Sequence, residues 1–292
     1  MINKKEIKNK INSVLNTKKI TRAMEMISVI KMKKSKVKIN LIQPYLNTLE
    51  KIICNLSNLI RNKKEKSLFF FQKKIKKIIF IVVLSSKGLC GNLNTNLFKH
   101  FLLYLKESIF GKFSFKIIIF GKKESIFINQ LKENIQEYNF NFYKNFNFFT
   151  VKNFSNKIFQ NYKKKKFHEI FIVYNKNCNK KKYIPIIEKL FPIQRNSKKS
   201  LSKNSWDYIY ESDSSLLYEN ILNRFCTIKI YHSILENLIN EYSSRIIAMK
   251  NATENSATLI QDLQVIYNKS RQFNITQELT EIISGASVVL MD

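Results

Sequence analysis

The sequence predicts an α/β protein: a long antiparallel coiled coil of the N- and C-terminal helices, with an α/β domain inserted between them. Three observations carry this. From Tyr218 to Ser284 neither glycine nor proline interrupts a run of apolar residues at helical spacing. Residues 1–60 contain no glycine and a single proline, Pro44. Between these ends, apolar strand-like runs alternate with helical stretches, the order expected of a parallel sheet with helical crossovers. The implied divisions are 1–60 for the first helix, 75–195 for the inserted domain and 208–292 for the last helix.

Taken in order, Ile7, Ile11 and Val14 open an apolar stripe that Ala23, Met24, Ile27 and Ile30 resume, with lysines on the outer face. Up to Asn40 this is a helix of roughly 50 Å at the standard rise. Pro44 is expected to end or bend it, with Leu46–Leu59 as a continuation. A charged linker at Arg61–Lys66 leads to Ile78–Leu84, an apolar β-branched run that reads as a buried strand. Ser85–Asn92 follows as a strand-to-helix turn, then a helix through Leu105. A second strand is expected at Lys116–Phe120, a helix at Lys122–Tyr138, another at Val151–Tyr162, and a third strand at Glu169–Tyr174. This is a small doubly wound, Rossmann-like domain. Lysine-rich loops at 163–166 and 180–182, then Pro185 and Pro192, read as the way out of the sheet, and Trp206–Tyr210 as a short extended segment. The last helix starts at Asp213 or Ser214, either a suitable N-cap. Its stripe runs through Leu235, Leu238, Ile239, Tyr242, Ile246 and Met249 to Leu259, Ile260, Leu263, Ile266 and Tyr267. An unbroken helix over this span is roughly 100 Å long, and one narrow apolar seam of that length needs a partner helix. The first helix is the available partner. The alternative is that the two belong to an ordinary helix bundle.

The net charge is +30, yet only six of the 51 basic residues are arginines, the residue suited to reading phosphates and bases with a fixed fork. From His232 to the end there are seven acidic and four basic side chains, so the most strongly patterned region is not basic. The charge reads as solvated lysine faces. Cys54, Cys90, Cys178 and Cys226 are far apart, and with three scattered histidines they suggest neither a zinc site nor a disulfide framework, only small buried hydrophobes. No signal peptide or membrane-spanning run is legible. Residues 87–92 lie where a doubly wound sheet holds phosphates, but match neither Gly-rich fingerprint, and a tight packing turn is the simpler reading. No catalytic constellation or cofactor site is expected. Glu278 and Glu281 read as surface charges beside the seam.

Words of the sequence go further than its periods. Ile20-Thr21-Arg22-Ala23-Met24-Glu25-Met26, Ser85 through Asn94, Arg245 through Thr253, Tyr267 through Gln272, Ile275 through Ile282 and the closing Ser284-Gly285-Ala286 resemble, in order, the γ subunits of F-type ATP synthases. The resemblance covers nearly the whole chain and is loosest from Phe110 to Lys203. It departs at Asn92, where the family usually has a second glycine, and at Leu15, usually polar. It implies a central-stalk rotor without catalytic residues or cofactor. Rotation of the membrane c-ring, driven by protons, turns the shaft and drives the catalytic β subunits through states of different nucleotide affinity. Implied partners are the α and β subunits, the ε subunit and the c-ring. Membrane association is through the c-ring only, at the cytoplasmic face of the bacterial inner membrane, and nucleic acid is not a partner. By motif, the contacts to the α/β hexamer fall on Met24, Arg245, Arg271, Gln272, Thr276 and Glu278. Val288, Val289 and Leu290 make an apolar, low-charge tip suited to turning in a bearing. Two other readings compete: a basic coiled-coil protein that binds nucleic acid, motivated by the charge, and a dinucleotide-dependent enzyme using the central sheet.

Overall fold

The computed structural model describes residues 4–60, 77–109, 113–121, 135–139, 146–178, 182–193 and 214–289. They form α1 (Lys4–Ile60), β1 (Lys77–Val83), α2 (Leu93–Tyr104) continued by a π-helical turn (Leu105–Ile109), β2 (Ser114–Phe120), β3 (Ile135–Asn139), α3 (Phe148–Lys163), β4 (Glu169–Cys178), β5 (Lys182–Phe191) and α4 (Ser214–Val289). The chain divides into two compact units: residues 1–30 with 245–292, and residues 31–244.

In the first unit, α1 and α4 pair antiparallel. Thr21 and Thr253 share a hydroxyl hydrogen bond of 2.8 Å, and the Lys4 ammonium lies 5.8 Å from the Tyr267 ring centroid. The α1 seam is Ile7, Ile11, Val14, Lys18, Thr21, Glu25 and Ser28, in alternating steps of four and three. The α4 seam, Met249, Thr253, Ser256, Ile260, Leu263, Tyr267, Ser270 and Asn274, has the same alternation. A mean step of 3.5 is the coiled-coil period. The seam departs from the expected stripe. Ile27 and Ile30 are 52% and 55% exposed, Ala23 is exposed too, and small polar Thr21 and Ser28 are buried instead. Small side chains let the helices approach closely. Their hydroxyls are satisfied locally: Ser28 Oγ donates to Met24 O at 2.7 Å and Thr253 Oγ1 to Met249 O at 2.8 Å. On α4, Leu259 and Ile266 likewise turn outward while Ile260 is buried.

The second unit is built on one five-stranded sheet in the order β3-β2-β1-β4-β5, parallel except for β5. Alternate residues of β1 serve opposite faces. Ile78, Phe80, Val82 and Leu84 pack with Leu97, Phe98 and Phe101 of α2. Ile79, Ile81 and Val83 join a second core with α3, with Leu46, Leu49, Ile53 and Leu56 of α1, and with α4 from Tyr218 to Leu238. A strand covered on both faces reads as a continuous apolar run, which is why β1 was legible.

Four expectations are corrected here. Pro44 does not end α1 but lies inside it; it stands on the exposed side, where the carbonyl that loses its N–H partner can turn to water. Ile135–Tyr138, expected in a helix, lies in β3, while 122–134 fall outside the described residues. Pro185 lies inside β5 rather than beyond the sheet; β5 is an edge strand, where a missing N–H breaks no ladder. Cys54 is exposed, against the expectation of buried cysteines, whereas Cys90 and Cys226 are buried. The linker at 61–66 and the segment 206–210 lie outside the described residues.

Candidate functional site

In a doubly wound sheet the natural ligand crevice lies at the carboxyl ends of the strands, where the strand order reverses. Here that point is between β1 and β4, since the chain moves outward one way through β2 and β3 and the other way through β5. The loop after β1 supplies the crevice floor. Gly91 has φ +59°, a region glycine enters at no cost, and Leu89 has φ +62° with its side chain exposed. Asn92 has φ −87°, so the asparagine at the departure from the family pattern needs no glycine. Gly121, after β2, has φ +125°, and a Cβ there would lie 2.8 Å from Ser85 O; only glycine fits.

At this point α4 places polar side chains against the strand ends and the loop. Glu241 accepts from Ser86 N at 2.8 Å through one carboxylate oxygen and from Ser86 Oγ at 2.8 Å through the other. Ser244 Oγ donates to Cys90 O at 2.6 Å. Asn237 Nδ2 donates to Leu84 O at 3.2 Å, while its Oδ1 accepts from Asn175 N and Nδ2 at 3.3 and 3.1 Å. Asn240 Nδ2 donates to Asn175 O at 2.7 Å. Across the loop, Asn94 Oδ1 accepts from Ser85 N at 3.1 Å and its Nδ2 donates to Ser85 Oγ at 2.8 Å. The loop donor that a phosphate would seek is spent on an internal carboxylate. The crevice is a joint that locks α4 to the ends of β1 and β4, and the dinucleotide reading loses its site. Sequence reading missed this joint. Its signal was present as Asn237, Asn240 and Glu241 at helical spacing inside an otherwise apolar stretch, polar groups that burial obliges to find partners.

Earlier on α4 lies a partly buried ionisable cluster. Lys229 bridges Glu188 at 2.7 Å and Glu50 at 3.6 Å, and Glu188 also accepts from the Tyr174 hydroxyl at 3.0 Å. His232 Nε2 and Gln43 Oε1 are 2.6 Å apart, an arrangement in which Nε2 donates. Burial, aided by the Lys229 charge, pushes the His232 imidazole down to about 4, and burial pushes the Glu236 carboxyl up to about 7. Between those values both are neutral, so their 3.9 Å approach is a contact of neutral groups and not an ion pair. Among the described residues no group of three or more His, Cys, Asp or Glu side chains is placed to hold a metal, and no helix is long and apolar enough to cross a membrane.

The six residues singled out by motif all belong to the first unit. Arg245 is buried and Met24 half-buried, while Arg271, Gln272, Thr276 and Glu278 are exposed along the outer part of α4. Thr276 Oγ1 donates to Gln272 O at 2.9 Å, a bond within the helix that leaves the face open.

The family model for ATP synthase matches residues 3–289. The chain belongs to the ATP synthase gamma-chain family. It is 41% identical over 292 residues to the ATP synthase gamma chain of Buchnera aphidicola subsp. Acyrthosiphon pisum (strain Tuc7), covering all of both chains. With that of Buchnera aphidicola subsp. Schlechtendalia chinensis it shares 43% over 293 residues, 99% of each. The fold resembles a chain of the Euglena gracilis mitochondrial ATP synthase, OSCP/F1/c-ring, in rotational state 3. The TM-score is 0.64 at 18% identity, covering 98% of this chain and 94% of that one. It also resembles one in the central stalk and c-ring of the Tetrahymena thermophila mitochondrial enzyme, with a TM-score of 0.57 at 17% identity over 80% and 99%. The mixed α/β architecture with terminal helices is therefore that of ATP synthase gamma chains, and the nucleic-acid reading finds no support.

Proposed function

We propose that this gamma chain is the turning shaft of its ATP synthase, a non-catalytic subunit that carries c-ring rotation to catalytic β subunits. The observation that carries this reading is the outer part of the first unit. Phe273, Ile275, Leu279, Ile282 and Ile283 are 48–68% exposed on α4, and Ile20, Ile27 and Ile30 are exposed on α1. A single-stripe coiled coil working alone would not leave so much large apolar surface in water. Facing a ring of subunits it gives smooth, uncharged contact, with Met24, Arg245, Arg271, Gln272, Thr276 and Glu278 as the specific contacts to the α/β hexamer. The second unit, braced by the polar joint, is the rigid foot for the ε subunit and c-ring at the cytoplasmic face of a bacterial inner membrane. On this reading 1–60 and 208–292 are the two shaft helices and 75–195 the inserted foot domain, against whose sheet residues 46–56 and 218–238 of those helices pack.

Co-expression with the α and β subunits of the same source, followed by size-exclusion chromatography and an ATPase assay, tests the proposal. A single large species with one copy of this chain per three αβ pairs, and sustained hydrolysis, is expected. Elution of the chain by itself, away from α and β, would overturn it.

A further inference from the structure

The second unit has an outer cleft that none of the interactions above uses. Helix α3 runs antiparallel to α4: Lys163 Nζ bonds Glu219 Oε1 at 2.6 Å, Thr227 Oγ1 donates to Ser155 Oγ at 3.0 Å, and Phe148 meets Tyr231 edge-on with centroids 5.6 Å apart. On α3, Phe148, Lys152 and Asn156 follow one another at four-residue steps. On α4, Asn220, Arg224 and Ile228 do the same. With Asn223, Thr227 and Tyr45 of α1 they line a cleft of about 390 Å³, a size within the range of small-molecule sites.

Its chemistry is one-sided. Lys152 and Arg224 are its charged residues, no acid lines it, and neither cation has an ion-pair partner among the described residues. Arginine and lysine together suit a phosphate, the one as a fork and the other as a point charge. The aromatic wall is held in place: Phe148 stands on Tyr231, whose ring also stacks with Phe146 at 5.2 Å. Tyr45 and Phe148 are both more than two-fifths exposed, so their rings are available to a flat ligand. Asn223 carries a buried Oδ1 with no hydrogen-bond donor among the described residues, so its amide gains a bond by turning toward a ligand. A bare phosphate would leave most of the volume empty and the rings unused.

We propose that this cleft binds a nucleoside phosphate, with the phosphates between Lys152 and Arg224 and the base against Tyr45 and Phe148. The inference does not depend on the rotor reading, since every residue invoked lies within the second unit.

The test is calorimetric titration of the purified full chain with ADP at 0.15 M salt, beside adenosine and pyrophosphate. ADP is expected to bind one to one, at least tenfold more tightly than either fragment. The double variant Lys152→Gln, Arg224→Gln is expected to lose at least tenfold, Phe148→Ala three- to tenfold, and Lys51→Gln, an exposed cation elsewhere on α1, nothing. Circular dichroism melting of each variant separates lost binding from lost fold. Photolabelling with azido-ADP should mark peptides containing 148–156 or 220–228. The proposal is overturned if wild type does not bind ADP, if pyrophosphate binds as well as ADP, if Lys51→Gln weakens binding as much as the double variant, or if the label falls elsewhere.

Discussion

Helix α4 passes through two environments, and the contrast teaches how one helix serves two purposes. From Phe225 to Glu241 every residue is buried except the half-buried Lys229, and Asn237, Asn240 and Glu241 bond to the sheet and its loops. From Arg271 to Ser284 almost every side chain is exposed, and side chains there bond along the helix itself, as Gln277 Nε2 does to Glu281 Oε1 at 2.9 Å. The first stretch owes its conformation to packing. In the second, helix propensity and partner surface must do more, because little of it is covered by this chain.

The largest expected effects come from breaking the buried side of this contrast. Leu235→Ala removes a fully buried side chain from the main core and should cost about 2–5 kcal/mol, whereas Leu279→Ala, on the exposed stretch, should stay within about 0.5 kcal/mol. Urea unfolding monitored by circular dichroism measures both. Glu241→Ala strands the Ser86 N–H at the joint and should cost about 2–4 kcal/mol by the same measurement.

A middle-sized effect concerns His232 and Glu236. The folded protein depresses the His232 pKa, so protonation on acidification favours unfolding, and the histidine contribution to stability is lost as pH falls from about 6.5 to 4. It raises that of Glu236, so the folded state holds a proton the unfolded state releases, and stability is lost as pH rises from about 4.5 to 7. The two slopes oppose one another over most of this range. Glu236→Gln should therefore steepen the rise of stability with pH between 4.5 and 7 relative to wild type, and His232→Gln should steepen its fall. Melting temperatures across pH 4–8 check both signs.

At the helix seam of the first unit, effects should appear in function more than in stability. Met24→Lys places a cation at the edge of the seam, where it can pair with a partner subunit and hold the shaft at one angle. Proton transport should uncouple from ATP hydrolysis in membrane vesicles, with little change in melting. The smallest effect expected is Thr21→Ala, about 1 kcal/mol or less, since Thr253 keeps its bond to the Met249 carbonyl.

What could be read from the sequence follows the same division. The long helices, β1 and β2 were legible because apolar periodicity there coincides with burial. The coiled-coil seam was partly misread because hydrophobicity points to Ile27 and Ile30, whereas the helix pair selects small Thr21 and Ser28, and the large apolar residues are left facing outward. Strand β5 was hidden by Pro185, which an edge position tolerates. Strand β3 was hidden by a pattern equally compatible with a helix. The joint of Asn237, Asn240 and Glu241 was invisible because its partners, Leu84, Ser86 and Asn175, are 62 to 155 residues away, and only the sheet topology brings them together. The six motif residues carry no local physical signature at all. They were found through words shared with a family.

The most direct test of the contrast is hydrogen exchange on the full chain, alone and assembled with the α and β subunits. Amides from 226 to 241 should be among the slowest in both states. Those from 271 to 284 should exchange far faster in the free chain and gain strong protection on assembly. If the outer stretch is already protected in the free chain, or gains nothing in the complex, then its exposed apolar face is not the surface on which the shaft turns.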